Sequence, residues 1–316
     1  MNKKTNRLFL LVLIVHFGAS ILLSALVLGS VKISTFTQLL ISELSILIPG
    51  FIFLLWNRYD LSEWVPFRKI RLKTVFLCIL FTFLIMPLIS LVNVFSQLFT
   101  TNEVVEMSAD LLEMPVVILI FMVGVYGPFC EEFIFRGILY SGFKKSGSVV
   151  AAAVLSAVYF GLLHLNINQF TYALVLGFVF CMLNEATGSI LSSMIGHIVV
   201  NSWNCILLIG ANWAYSKAGM DASAIAETEV NTDAKLYMIG GLLIVSFITT
   251  ILAYMVFNVI CEAENRTEHV KSLFSSNEKS HLLTASGYVA IAVCVFIMLF
   301  LDKCIEMLSK YYPMLG

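Results

Sequence analysis

Long apolar runs separated by short polar connections dominate the chain. A helix rises about 1.5 Å per residue and a bilayer's hydrocarbon core is about 30 Å thick, so roughly 20 apolar residues span it. Runs at 8–31, 34–56, 75–98, 111–135, 149–165, 170–183, 190–209, 236–260 and 282–301 meet or approach that length. The pattern predicts an all-α fold, a polytopic transmembrane helical bundle of nine spans, with eight as the main alternative. Spans that carry polar motifs are short or broken by the same rule. The first run follows Lys3, Lys4 and Arg7, as a signal peptide would. Its apolar stretch is too long for one, so a retained span is expected.

Composition supports the membrane reading. Of 316 residues, 59% are hydrophobic and 12% charged, and the mean hydropathy is +0.94. A soluble domain carries about a quarter charged residues. No polar stretch is long enough to fold separately, so residues 1–316 are read as one integral membrane domain. Net charge is near zero, but its distribution is informative. Arg58, Arg68, Lys69, Arg71 and Lys73 share one connection and Lys144 and Lys145 another. Glu103, Glu106 and Asp110 occupy a connection without Lys or Arg, and Asp221, Glu227, Glu229 and Asp233 one whose single cation is Lys217. By the positive-inside rule the N-terminus, the 58–73 loop, the Lys144 loop and the segment with Arg266, Lys271 and Lys279 are expected in the cytoplasm of a multi-pass cell-membrane protein.

The seven cysteines show no metal-finger or redox spacing and lie in or beside apolar runs, where a thiol is a packing residue. Cys130 adjoins Glu131 without an assured cation to activate it. Nothing indicates a nucleic-acid partner. The basic loop around Arg68 is read as an anchor at anionic lipid.

Ionisable groups inside a bilayer persist mainly where they pair or act. The run Glu131-Glu132-Phe133-Ile134-Phe135-Arg136 puts two carboxylates and a guanidinium in one span. Glu132 and Arg136 stand one turn apart and can neutralise each other. Glu131 lies about 100° further round and is left free for chemistry. His164 follows Phe160 by one turn, and His197 and Asn201 share a helix face. Glu131, His164, His197 and Asn201 can therefore converge from three helices. Singly, such residues often serve as inter-helix glue, which is the reading for His16. Glu43 is read as an ion-pair or packing carboxylate, and His269 and His281 as solvated.

Peptide hydrolysis needs an activated water, a proton for the leaving amine and a prepared oxyanion site. Glu131 with His164 can hold and deprotonate water, while His197 and the Asn201 amide can donate to the oxyanion. In a metal variant Glu131, His164 and His197 would hold zinc. The metal-free version is favoured, because an amide is a poor zinc ligand but a good oxyanion donor. Neither HExxH nor GxSxG is present.

In order along the chain, Glu131-Glu132-x-x-x-Arg136, Phe160-x-x-x-His164 and His197-x-x-x-Asn201 resemble the motifs of the CPBP family of intramembrane proteases. That family includes the CAAX-processing endopeptidases and bacterial bacteriocin-immunity proteins. Arg136-Gly137-Ile138-Leu139 and Thr187-Gly188-Ser189-Ile190-Leu191 extend the likeness across 111–203. The resemblance implies a catalytic core there, flanked by spans in 1–98 and 234–316 of unassigned role. It implies Glu131 and His164 as water activators, His197 and Asn201 as the oxyanion site, and Glu132 with Arg136 as the supporting pair. The expected substrate is a membrane-associated peptide or protein, in bacterial peptide processing or bacteriocin self-immunity. The alternative is an inactive scaffold or a transporter that binds a peptide in the same cavity.

Overall fold

The computed structural model describes residues 1–100, 102, 107–220, 230–274 and 281–311, the last eleven by backbone alone. Glu103, Glu106, Asp221, Glu227, Glu229 and Lys279, which entered the topology argument, lie outside the described residues. Twelve helices and no strand occur among those described. They are α1 (Asn2–Leu28), α2 (Thr35–Trp56), α3 (Leu61–Trp64), α4 (Leu72–Ser96), α5 (Ser108–Leu112), α6 (Val116–Lys144), α7 (Val149–Leu163), α8 (Ile167–Thr187), α9 (Ile190–Lys217), α10 (Thr232–Ala263), α11 (Thr267–Leu273) and α12 (Ala285–Tyr311). Seven are long and apolar enough to cross a membrane, and two shorter apolar helices, α7 and the Ala285–Phe300 part of α12, join them.

Local chemistry sets the helix starts. Ser148, Asn166, Ser189 and Asn231 each accept a hydrogen bond from a backbone N–H of the first turn of α7, α8, α9 and α10. Gly188 closes α8 with φ +72°, a conformation that favours glycine. Ser189 then caps α9 at once, so α8 and α9 form a tight hairpin.

Helix lengths differ from the sequence expectation at the motif. The 111–135 run begins as helix at Val116 and continues to Lys144, which moves the Glu131–Arg136 motif from a span's end to its interior. Span 170–183 lengthens to Ile167–Thr187 because its polar ends are satisfied across the bundle. Asn168 Nδ2 donates to Asn93 Oδ1 (2.8 Å) and Ser96 Oγ (2.7 Å).

Burial is greatest in the middle of the chain. Half of the best apolar window of α6 and 61% of that of α8 are buried, against 11% in α1 and 17% in α10. The outer helices thus present their apolar surfaces outward, as a bilayer requires, and shield the helices that carry the motifs. One end of the bundle gathers the cation-rich segments. There Lys4 Nζ donates to Asn57 Oδ1 (2.7 Å), Ser189 Oγ to the Arg68 carbonyl (2.6 Å), and the Arg71 N–H to Glu264 Oε1 (3.2 Å). This basic end includes the segments that the positive-inside rule groups together.

Candidate active site

Helix α6 has two widened turns, Ile120–Tyr126 and Phe133–Leu139, on either side of an α-helical stretch Gly127–Glu132. Such widening recurs at functional sites. Pro128 has no N–H to return to the carbonyls four and five residues earlier, Gly124 and Val123. Helix α9 satisfies both: Asn201 Nδ2 donates to the Val123 carbonyl at 3.1 Å and Ser202 Oγ to that of Gly124 at 3.3 Å. Neighbouring polar side chains commonly take this role at helix breaks in membranes.

Glu132 and Arg136 meet across one turn. Arg136 Nη1 lies 3.1 Å from Glu132 Oε1, and neither side chain is exposed. The contact is not an aligned hydrogen bond, and no guanidinium nitrogen has a hydrogen-bond partner. Aromatic faces provide the rest of its environment, with the guanidinium carbon 4.1 Å from the Phe160 ring centre and 5.6 Å from that of Phe180. Phe160 is thus more than a spacer one turn before His164.

His197 bridges the two adjacent glutamates. Its Nδ1 is 2.9 Å from Glu132 Oε1 and its Nε2 is 3.5 Å from Glu131 Oε2. Gly196 permits this approach of α9, since a Cβ there would lie 2.9 Å from the Phe180 ring. Glu131 keeps a small exposed fraction, 13%, whereas Glu132 has none. Glu131 is therefore the less enclosed carboxylate of the pair.

His164 caps the end of α7 and is half-buried, with its ring 5.3 Å from that of Phe160. The opposite neighbour of Phe160 is His197, at 5.7 Å. Phe160 thereby joins the two histidines and Arg136 in one cluster. No direct bond links His164 to Glu131 among the described contacts.

Glu43 belongs to the same region, which sequence reasoning underweighted. A Cβ on Gly127 would meet Glu43 Oε1 at 3.2 Å, and Gly50 likewise faces Ile134. Both pairs are seven residues apart on each helix, so α2 packs along α6 in a regular two-turn register. Gly127 lies one turn before Glu131, and Glu43 Oε2 is buried without a hydrogen-bond partner. Arg136 is the fixed cation paired with Glu132, and His197, between Glu131 and Glu132, is the group able to supply a second positive charge. His16 acts as inter-helix glue, its Nδ1 2.9 Å from Ser45 Oγ. His269 departs from expectation: instead of being simply solvated, its Nε2 lies 2.7 Å from Glu185 Oε2. The structural hub Glu185 was missed, because its partners come from distant segments.

The donor set does not fit a metal as it stands. Among the described residues no three His, Cys, Asp or Glu side chains form a metal-holding group. Both nitrogens of His197 face carboxylates, and Asn201 is turned to a carbonyl.

Residues 113–203 match the family model described as type II CAAX prenyl endopeptidase Rce1-like. Over this stretch the chain is similar to the CPBP family of intramembrane proteases. The CPBP match covers α6 to the middle of α9 and contains all three motifs. Among curated proteins, YdiL of Bacillus subtilis (strain 168), provisionally named a membrane peptidase, is 27% identical over 90 residues. That stretch is 28% of this chain and 37% of YdiL, so the chain spans little more than a third of the relative it matches. No solved structure matches the chain. Glu43 and the other residues of α1 and α2 lie outside the CPBP match.

Proposed function

We propose that the chain is an intramembrane endopeptidase that hydrolyses a peptide bond of a membrane-associated protein or peptide. The observation that carries this reading is the placement of His197, held by Glu132 with its other nitrogen turned to the partly exposed Glu131. In this scheme Glu131 takes a proton from water as the oxygen attacks the scissile carbonyl. His164 helps to hold that water. The developing oxyanion accepts from His197 and from the second N–H of the Asn201 amide, whose first N–H serves the Val123 carbonyl. Glu131 then returns its proton to the amine as the C–N bond breaks, giving a carboxylic acid and an amine, between which the acid proton passes to leave a carboxylate and an ammonium. Glu132 and Arg136 fix the orientation of His197, as the third member of a triad does.

The reaction in this proposal is metal-free, since the Asn201 amide is a poor zinc ligand and a good oxyanion donor. The substrate class is CAAX-protease-like in position, at a membrane-associated segment, with peptide-precursor processing or bacteriocin self-immunity as the bacterial role. The basic end of the bundle faces the cytoplasm of the cell membrane. Purified protein incubated with a quenched peptide and prenyl-peptide library tests the reading. Cleavage by the wild type and none by Glu131→Ala is expected, and equal signals from the two would overturn it.

A further inference from the structure

A cavity of about 410 Å³ opens at the basic end of the bundle, remote in role from the Glu131 cluster. Its walls come from the 63–68 segment, the last turns of α6, the α8–α9 turn and α11. Glu185 organises it. Tyr140 Oη and Lys144 Nζ donate to Glu185 Oε1 at 3.0 and 2.5 Å, and His269 Nε2 lies 2.7 Å from Oε2. Arg266 Nη2 stands 3.5 Å from Oε2, while its Nε donates to the Glu185 carbonyl at 2.5 Å. One carboxylate therefore serves Lys144, Arg266 and His269 together.

The lining carries more positive than negative charge. Arg68, Lys144, Lys145 and Arg266 face only Glu63 and Glu185, since Arg136, at the inner wall, is offset by Glu132. Among the described residues Arg68 makes no ion pair, and Lys145 rests its ammonium 4.4 Å from the Trp64 ring centre without a carboxylate. Two cations at the mouth thus lack a counter-ion.

We propose that this cavity binds the phosphate of an anionic phospholipid headgroup. A phosphate supplies oxygens for both the forked guanidinium of Arg68 and the point charge of Lys145. The cavity sits where the spans end, among the cations that flank them, which is where basic pockets between helices take lipid headgroups. Pro66 and the half-buried Val149 in the lining offer apolar surface for acyl chains. A free phosphate ion shares the headgroup chemistry but has no use for that surface.

Native mass spectrometry of the full-length protein in detergent tests the proposal with phosphatidylglycerol, phosphatidylcholine of the same acyl chains, and inorganic phosphate. Phosphatidylglycerol is expected to be retained over phosphatidylcholine. Arg68→Gln with Lys145→Gln should weaken its retention by about 20- to 30-fold, from the loss of two basic contacts. Glu63→Gln, which removes the exposed competing charge outside the Glu185 network, should strengthen it. That opposite sign cannot come from a general loss of folding. Equal retention of the two lipids, or no change in the double variant, would overturn the proposal. Saturable phosphate binding without preference for phosphatidylglycerol would assign the cavity to the free ion and overturn the lipid source.

Discussion

The ring centre of Phe160 lies 4.1 Å from the guanidinium carbon of Arg136, a contact between α7 and α6. Arg136 lacks any hydrogen-bond partner, so this aromatic face is part of what makes its burial tolerable. Phe160→Leu is expected to destabilise the protein by about 2–3 kcal/mol, combining the lost desolvated cation–π contact with a partly filled cavity. Thermal unfolding in detergent measures it. An unchanged melting temperature would show that Glu132 alone suffices to hold Arg136.

The adjacent glutamates should separate experimentally. Glu131→Gln is expected to abolish cleavage while leaving the melting temperature near that of the wild type. Glu132→Gln leaves Arg136 without its charge partner and weakens the anchor of His197, so about 3–5 kcal/mol of stability should be lost together with activity. Arg136→Ala should behave like Glu132→Gln. Equal melting temperatures for all three variants, with Glu131→Gln still active, would reverse the roles.

Asn201 joins two functions in one amide. Asn201→Ala removes the donor to Val123 as well as the proposed oxyanion donor. Turnover should fall by about 10²-fold or more, with a much smaller change in KM. Ser202→Ala removes only a carbonyl contact at the Pro128 gap, so a modest loss of stability with near-normal turnover is expected. Should the two variants lose turnover equally, the Asn201 effect belongs to the helix break rather than to the oxyanion.

Metal dependence has a direct assay. Chelator-treated protein is expected to keep its activity, and zinc add-back should not raise it. Stoichiometric zinc lost with activity, and restoring it on return, would sink the metal-free scheme.

Orientation can be read by labelling from each side of intact cells. A cysteine introduced at Ser62, at the basic end, should react only after permeabilisation. One at Ser216, near the end of α9, should react from outside. The opposite pattern would invert the topology.

Much of this molecule was legible along the chain because the relevant physics is local. Apolar run length marks the spans, and i,i+4 spacing pairs Glu132 with Arg136 within one helix. The same spacing places His164 after Phe160 and Asn201 after His197. Capping residues such as Ser148 and Ser189 mark helix starts for the same reason. Contacts between helices are another matter, since they depend on packing register and on which face each helix turns inward. Only the folded bundle sets His197 between Glu131 and Glu132, slides Glu43 against Gly127, and aims Asn201 and Ser202 at the carbonyls exposed by Pro128. Burial by the surrounding helices then makes the single cation Arg136 depend on aromatic rings, and gathers Lys144, Arg266 and His269 from distant segments around Glu185.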